Sequence, residues 1–388
     1  MKHNWEYKKL GEVCETTSGG TPSKIKLEYY TNGNIPWLRS GEIRQGLIFD
    51  TDIYITEEGL KHSSAKIIPI NSVVIAMYGA TVGQCGIIKS KMCTNQAVCS
   101  IFPNSNIIPE FLCLFLTSKK NTFIKSAVGG AQPNISQNIV RNTLIPLPPL
   151  SVQERIVEKL DRLSLILEKK KQQIKELDSL AQSIFYDMFG DPIENGKGWE
   201  IKKLGEICSD KQHIIRANKY FSKTAKIQYI DISSINNSSN TITNTTTFVF
   251  ENAPSRAQQK VEYGDVLISL VRPNLKNIAS IDIMCNNLVA SSGFCVLRGI
   301  NVSQYYIKAL VLTNHFTKYL TERVSGANYP AIHEEDIRNC IIGIPPLDLQ
   351  QSFAKKIEAI EKQKELINQS IKEVQLLFDA KMDYYFGD

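Results

Sequence analysis

The chain has little of what would make it a membrane protein, a metalloprotein or a self-contained enzyme. No apolar run approaches the roughly 20 residues a spanning helix needs. Its start, MKHNWEYKKLGEVC, has no apolar core of a signal peptide, so the expected location is the cytoplasm. The nine cysteines form no CxxC pair and the five histidines are scattered, which argues against a zinc site. Cysteines in apolar runs, such as VCSI at 98–101 and GFCV at 293–296, read as buried free thiols. There is no GxxxxGK[ST] phosphate loop and no glycine-rich strand-to-helix turn for a nucleotide cofactor. An amino-methyltransferase signature, [ND]-P-P-[YF], is also missing, because the Pro-Pro pairs at 148–149 and 345–346 have other neighbours. The formal net charge of +6 is spread along the chain with no basic tail. That balance is compatible with a polyanionic partner without requiring one.

What is present is a duplication. WEYKKLGEVC at 5–14 returns as WEIKKLGEIC at 199–208, an offset of 194. Arg141-Asn142 followed by IPLPPL at 145–150 returns as Arg338-Asn339 followed by IGIPPL at 342–347, an offset of 197 that holds to the closing Phe-Gly-Asp of each copy. A period this long means two domain-sized copies rather than a solenoid. The copies diverge between these anchors and rejoin in an apolar hairpin-like stretch, 72–81 against 265–274 and 96–99 against 292–295. Each copy keeps a framework and changes its loops. HEED at 333–336 aligns with SQNI at 136–139, so its acids and histidine read as the polar start of a short helix.

After each Pro-Pro-Leu comes a helix signal. Ser151 with Glu154, and Asp348 with Gln351, stand at capping-box spacing. Apolar residues then step by four and three: Ile156, Leu160, Leu163, Leu167, Ile174 and Leu177 in the first copy, and Phe353, Ile357, Ile360, Ile367, Ile371, Val374 and Phe378 in the second. Lys170, Lys364 and Lys381 interrupt the series. This is a heptad seam, and Gly190 and Gly387 stand where C-caps want glycine. Each helix would run roughly 57 Å at 1.5 Å per residue, too long for a single domain to cover. The natural partner of each is its twin, paired antiparallel. Packing of each seam on its own domain, or dimerisation of the whole chain, are the alternatives.

The motifs together resemble one family. SGGTPS at 18–23, IPWLRSGEI at 35–43, MYGATVGQCGI at 77–87, TNQA at 94–97 and GGAQPNISQ at 129–137 look like target-recognition motifs of the specificity subunits of Type I restriction-modification enzymes. The segments 253–279 and ASSGF at 290–294 look like a second variety of the same domain. The resemblance implies an α+β fold of two similar mixed α/β target-recognition domains, 1–150 and 191–347. Each is followed by a long spacer helix, 151–190 and 348–388. The helices pair as an antiparallel coiled coil with an internal pseudo-two-fold axis. It further implies a non-catalytic chain that binds double-stranded DNA, two methyltransferase subunits and restriction/translocase subunits. S-adenosylmethionine, ATP and magnesium would act in those partners, with no cofactor or metal in this chain and no membrane.

Within and around those motifs, the residue types suited to DNA can be named. Arginine can take guanine, and asparagine or glutamine adenine, by paired hydrogen bonds in the major groove, while lysine, hydroxyls and bare backbone N–H groups suit phosphates. The first copy offers Ser18, Gly20, Thr21, Ser23, Lys24, Lys26, Arg39, Arg44, Tyr78, Gly79, Thr81, Gln132 and Asn134. The second offers Lys211, Arg216, Lys219, Arg256, Gln258, Arg272, Asn274, Lys276, Asn328 and Tyr329. In the alignment Arg272 replaces Gly79. Readers held roughly 40–57 Å apart would be about 12–17 base pairs apart, which predicts a split, non-palindromic site with an unread gap. A specificity subunit of a Type IIB-like enzyme, a coiled-coil scaffold without a DNA role, and a self-contained methyltransferase or nuclease are the competing readings.

Overall fold

The computed structural model describes residues 5–43, 46–127, 133–209, 216–325 and 330–387. Two compact units emerge, Met1–Lys171 with Gln369–Asp388, and Gln172–Asn368. This division departs from the four-part reading, because each long helix contributes a segment to both units. The physical reason lies in the seam. Each helix end buries its apolar side chains on the nearer globular core together with the opposite end of the other helix.

In the first unit, the repeated WEYKKLGEVC begins strand β1 (Glu6–Lys9). It pairs antiparallel with the strand that leads into Pro-Pro-Leu, Leu144–Leu147, so the start of the copy is clamped to its end. Between them lies a five-stranded sheet that includes the edge strand β2 (Glu15–Ser18), the central β3 (Val73–Ala76) and, between these two, β4 (Val98–Phe102). β4 takes β2 on one side and β3 on the other, both antiparallel. Val73 and Ile75 face one core cluster and Val74 and Ala76 another. A strand buried on both faces reads as an unbroken apolar run, which is why VVIA does not alternate. A second, four-stranded sheet holds Ile35–Leu38 parallel to Met92–Thr94, with Trp37 opposite Cys93.

The second unit repeats the framework. β5 (Glu200–Lys203) pairs antiparallel with Ile341–Ile344 in the register of β1 and its partner. β6 (Val266–Ser269) pairs with β7 (Phe294–Leu297), Ile268 opposite Cys295, as Ile75 stands opposite Cys99. Lys226–Ile230 runs parallel to Leu288–Ser291, matching the parallel pair of the first unit. His333 and Asp336 form the cap of the short helix Glu334–Arg338, with the Asp336 carboxylate accepting the His333 N–H at 2.9 Å. The motif is structural. All nine cysteines are free, and only Cys285 is not fully buried. Burial pushes the Cys14 thiol up to about 11 and Cys93 to about 12.

The long helices span Leu150–Phe189 and Leu347–Phe386. Every expected seam residue is buried or half-buried, whereas Leu165, Leu180, Leu366 and Leu376 on other faces are exposed. In the first unit Ile156 and Leu160 share a core with Phe378, Met382 and Phe386; in the second, Phe185 and Phe189 share one with Phe353 and Ile357. Beginning lies against end in both, the antiparallel arrangement. The alternative of packing on the domain holds as well at these ends: Phe386 stacks edge-on against Phe111, and Phe189 against Tyr306. Lys364 interrupts the seam at a site 12% exposed, where Asp178 (2.7 Å) and Glu361 (3.0 Å) take its ammonium. Burial pulls its pKa down, the two carboxylates outweigh that, and the group stays charged.

The expected capping boxes are corrected by the structure. The helices start at Leu150 and Leu347, two residues before the starts that caps at Ser151 and Asp348 imply, so Ser151 and Asp348 lie inside the first turn. The devices that fix each helix start are Gln153 and its twin Gln350, both buried. Gln153 donates to the carbonyls of Pro148 and Asn106 at 2.9 Å and accepts the Ile108 N–H at 3.0 Å. Gln350 donates to Pro345 at 2.8 Å and accepts from Ser303 at 3.0 Å. At the far end Gly190 takes φ +68°, as a C-cap requires, and Trp199 of the repeated motif donates its indole N–H to the Phe189 carbonyl.

Candidate nucleic-acid interface

In each unit one end of the framework hairpin gathers several of the expected readers. In the first unit β3 runs out through Met77, whose N–H bonds the Ala97 carbonyl at 2.8 Å and whose carbonyl accepts from Ile135 at 2.9 Å. Tyr78 then forms a β-bridge with Asn134, and the Gly79 N–H donates to Pro133 at 3.0 Å. Gln96, next to Ala97, accepts the Thr21 hydroxyl. The segments containing SGGTPS, TNQA, MYGAT and PNIS, 18–137 in the chain, therefore meet at one place. Tyr78, Thr81, Asn134 and Thr21 lie on its surface or half-exposed, with Ser18 half-buried beside them at the end of β2.

Some first-copy candidates do other work. Gly20 is buried and its N–H is given to Thr94 at 2.9 Å. A Cβ there would stand 2.4 Å from the Ala65 nitrogen. The glycine is needed for internal packing rather than for approach to a phosphate, which corrects the reason given for it from sequence. Arg39 is paired with Glu42 and lies 3.7 Å from Asp52. Lys26 donates to the Tyr29 hydroxyl at 3.0 Å, while Ser23 and Lys24 are exposed. Between the lysines stands Ile25, 92% exposed, followed by Leu27 at 73%. Reasoning from hydrogen-bonding groups passed over both, although apolar side chains at a basic loop can wedge into a groove.

The second unit builds the same place from other side chains. The Leu270 N–H bonds Gly293 at 2.9 Å and its carbonyl accepts from Ile332 at 2.9 Å. Val271 bridges Ala331, and the Arg272 N–H donates to Pro330 at 2.8 Å. The Arg256 carbonyl accepts from Ser292, the neighbour of Gly293, which brings Arg256 to the same end of the hairpin as Arg272. Arg216 bridges Gln259 on the strand Ala257–Lys260, which also carries Gln258. Arg216, Lys219, Arg256, Gln258, Arg272 and Asn274 are all exposed. Lys276 is not presented in this way: its ammonium bonds the Leu312 carbonyl and Asn314, both at 2.9 Å. Arg44, Gln132, Lys211, Asn328 and Tyr329 lie outside the described residues.

Known proteins resemble the chain over most of its length. The family model of the Type I restriction modification DNA specificity domain matches twice, at residues 2–177 and 196–376. The Type I restriction enzyme MjaIX specificity subunit of Methanocaldococcus jannaschii is 25% identical over 380 residues, which cover 92% of this chain and 87% of that protein. The EcoR124I/EcoR124II specificity subunit of Escherichia coli is 33% identical over 166 residues, 42% of this chain and 41% of that one. Among solved structures, the S subunit of a Type-I restriction-modification system from M. genitalium aligns at a TM-score of 0.55 and 15% identity, covering 99% of this chain and 96% of its own. A chain from a structure of the assembly of the type I R-M system aligns at 0.60 and 22%, covering 98% and 97%. These two likenesses carry the fold. With a double family match across most of its length, the chain belongs to the Type I restriction modification DNA specificity family and contains two copies of its domain.

Proposed function

We propose that each unit reads one half of a split DNA site, and that the chain supplies recognition to methyltransferase and restriction subunits that carry the chemistry. The observation that carries this is the single framework bearing unlike side chains at one equivalent place: Tyr78, Gly79 and Asn134 in one copy, Val271, Arg272 and Ala331 in the other. Two readers with the same scaffold and different polar tips suit two different half-sites. Phosphate contacts from lysines and hydroxyls would hold register while arginine and asparagine take base edges. The relatives are specificity subunits of Type I restriction enzymes, which favours this over a Type IIB-like subunit or a scaffold without a DNA role. S-adenosylmethionine, ATP and magnesium belong, in this reading, to the partner subunits. No described helix is long and apolar enough to cross a membrane.

The experiment is to co-express the chain with its neighbouring methyltransferase gene and map modified adenines by long-read sequencing. A bipartite motif with unlike halves is expected; modification at a single continuous motif, or none, would sink the proposal. The spacer makes a second prediction. Removing one heptad from each long helix keeps the seam in phase and shortens each by about 10 Å. The gap should then shrink by about three base pairs, at 3.4 Å per step, with both half-sequences unchanged. Altered half-sequences would mean that the helices do not set the gap.

A further inference from the structure

We infer that Arg272 is a base-reading residue of the second unit, taking a guanine edge, and that position 79 is the same reading position in the first unit, left vacant there by glycine. This rests on the DNA-reading role proposed above. The two positions share their backbone environment. Both N–H groups donate to the carbonyl of a proline, Pro133 or Pro330. Both follow a residue bridged to the segment after that proline. Both carbonyls close a tight turn, accepting the N–H three residues on, Val82 to Gly79 at 3.1 Å and Leu275 to Arg272 at 2.9 Å. Both are left-handed, with φ +74° at Gly79 and +51° at Arg272.

Glycine adopts that conformation without penalty, whereas arginine does so against its preference. A strained non-glycine residue persists where the surroundings hold it, and such residues gather at ligand-binding sites. The surroundings here do hold it. Lys276, at the other end of the turn, is left-handed too (φ +50°) and is tied to Leu312 and Asn314. Its carbonyl accepts from Asn240 at 2.9 Å. The turn is thus fixed at both ends while Arg272 and Asn274 are exposed on it. An arginine fork presented from a fixed turn matches guanine O6 and N7, which demand a planar pair of donors. In the first unit a Cβ at Gly79 would meet nothing within 4 Å, so an arginine there would carry only the left-handed strain that Arg272 already carries.

The test uses the full chain in complex with its methyltransferase and compares the modified motif for Arg272→Gly and Gly79→Arg. Arg272→Gly should relax one guanine of one half-site, lowering the preference for it about ten- to a hundredfold, and leave the other half unchanged. The unfolding midpoint of this variant should hold or rise, because glycine relieves the left-handed backbone, so any change in motif is not misfolding. Gly79→Arg should add a base preference to the other half-site. An unchanged motif would overturn the inference. So would an equal loss of binding at all sequences, the mark of a phosphate contact. If the wild-type complex shows a split motif and Arg272→Gly does not alter it, the inference alone falls; if the wild type shows no split motif, the reading beneath it falls too.

Discussion

Replacing Asp265 with alanine is expected to destabilise the second unit by about 3–5 kcal/mol, the range for breaking one partner out of a buried pair. For a unit of this size that is a fall of roughly 6–20 °C in its melting transition, measurable by scanning calorimetry. Asp265 is fully buried and holds the Arg298 guanidinium through two bonds, 2.7 and 2.8 Å. It also accepts the Glu262 N–H at 2.8 Å. Hydrogen bonding to Asp265 raises the pKa of Arg298, so the arginine stays charged and would keep only Glu262, at 3.3 Å, in place of its buried bidentate partner. The pair stands at the head of β6, the strand that leads to Arg272. The first unit supplies the control. Its equivalent residue is Ser72, buried and donating to the Pro69 carbonyl at 2.7 Å, with no charge to strand. Ser72→Ala should stay within about 1.5 kcal/mol, the worth of one neutral hydrogen bond. Replacing Asp265 and Arg298 together by leucine should recover much of the loss; a double variant as weak as the single one would show that the pair's charge is not what matters.

That contrast marks what the sequence could and could not reveal. The duplication was legible because β1 and β5 keep eight of ten residues of their motif, and the seam because its apolar steps follow the helix period. The framework hairpin was legible as an apolar run that returns in the second copy, 72–81 against 265–274 and 96–99 against 292–295. Its internal differences were not, since Asp265 finds Arg298 33 residues away, across a sheet whose pairing the sequence does not announce. Local signals also misled. Ser151 and Glu154 have capping-box spacing, yet the helix begins two residues earlier than that implies, because the Pro149 carbonyl already accepts from Val152 and Gln153.

The candidate interface was legible as a set of residue types and partly as an alignment. Arg272 against Gly79 follows from counting residues, and the shared proline contact bears out that correspondence in the backbone. What could not be read was which polar groups are already engaged. Lys276 and Arg39 look like surface cations in sequence, but internal carbonyls and carboxylates hold them. Gly20 looks like a loop glycine, and its need for glycine comes from Ser64 and Ala65, more than forty residues on. Ile25 is not legible for another reason: it offers no hydrogen-bonding group, and its 92% exposure shows only in the fold.

Gln153→Leu and Gln350→Leu should each loosen the root of a long helix on its own domain, the first by about 2 kcal/mol or more. Gln153 satisfies three backbone groups that leucine cannot, those of exposed Asn106, half-buried Ile108 and buried Pro148, and each of the latter two left unpaired costs about 1–3 kcal/mol. Gln350 satisfies two, on Ser303 and Pro345, so its loss should be smaller. In both copies the amide ties the carbonyl of the first proline of Pro-Pro-Leu to the N–H at the start of the domain's own helix, Pro109–Ser118 or Gln304–Val311. Leucine keeps the volume, so the loss isolates the hydrogen bonds from packing. Gln153→Glu is a sharper probe: it still accepts from Ile108 but sets carboxylate oxygens against two carbonyls, and should be at least as damaging as leucine. Hydrogen exchange in the first turn of each long helix reads the effect locally, with faster exchange expected after residue 149 in one variant and after 346 in the other. Leucine variants as stable as the wild type, with unchanged exchange, would mean that the aromatic contacts of Phe386 and Phe189 hold the helix roots unaided. If the amides matter as argued, the direction in which each spacer helix leaves its domain is fixed by one glutamine per copy, and a spacer can set a gap only if its root does not swivel.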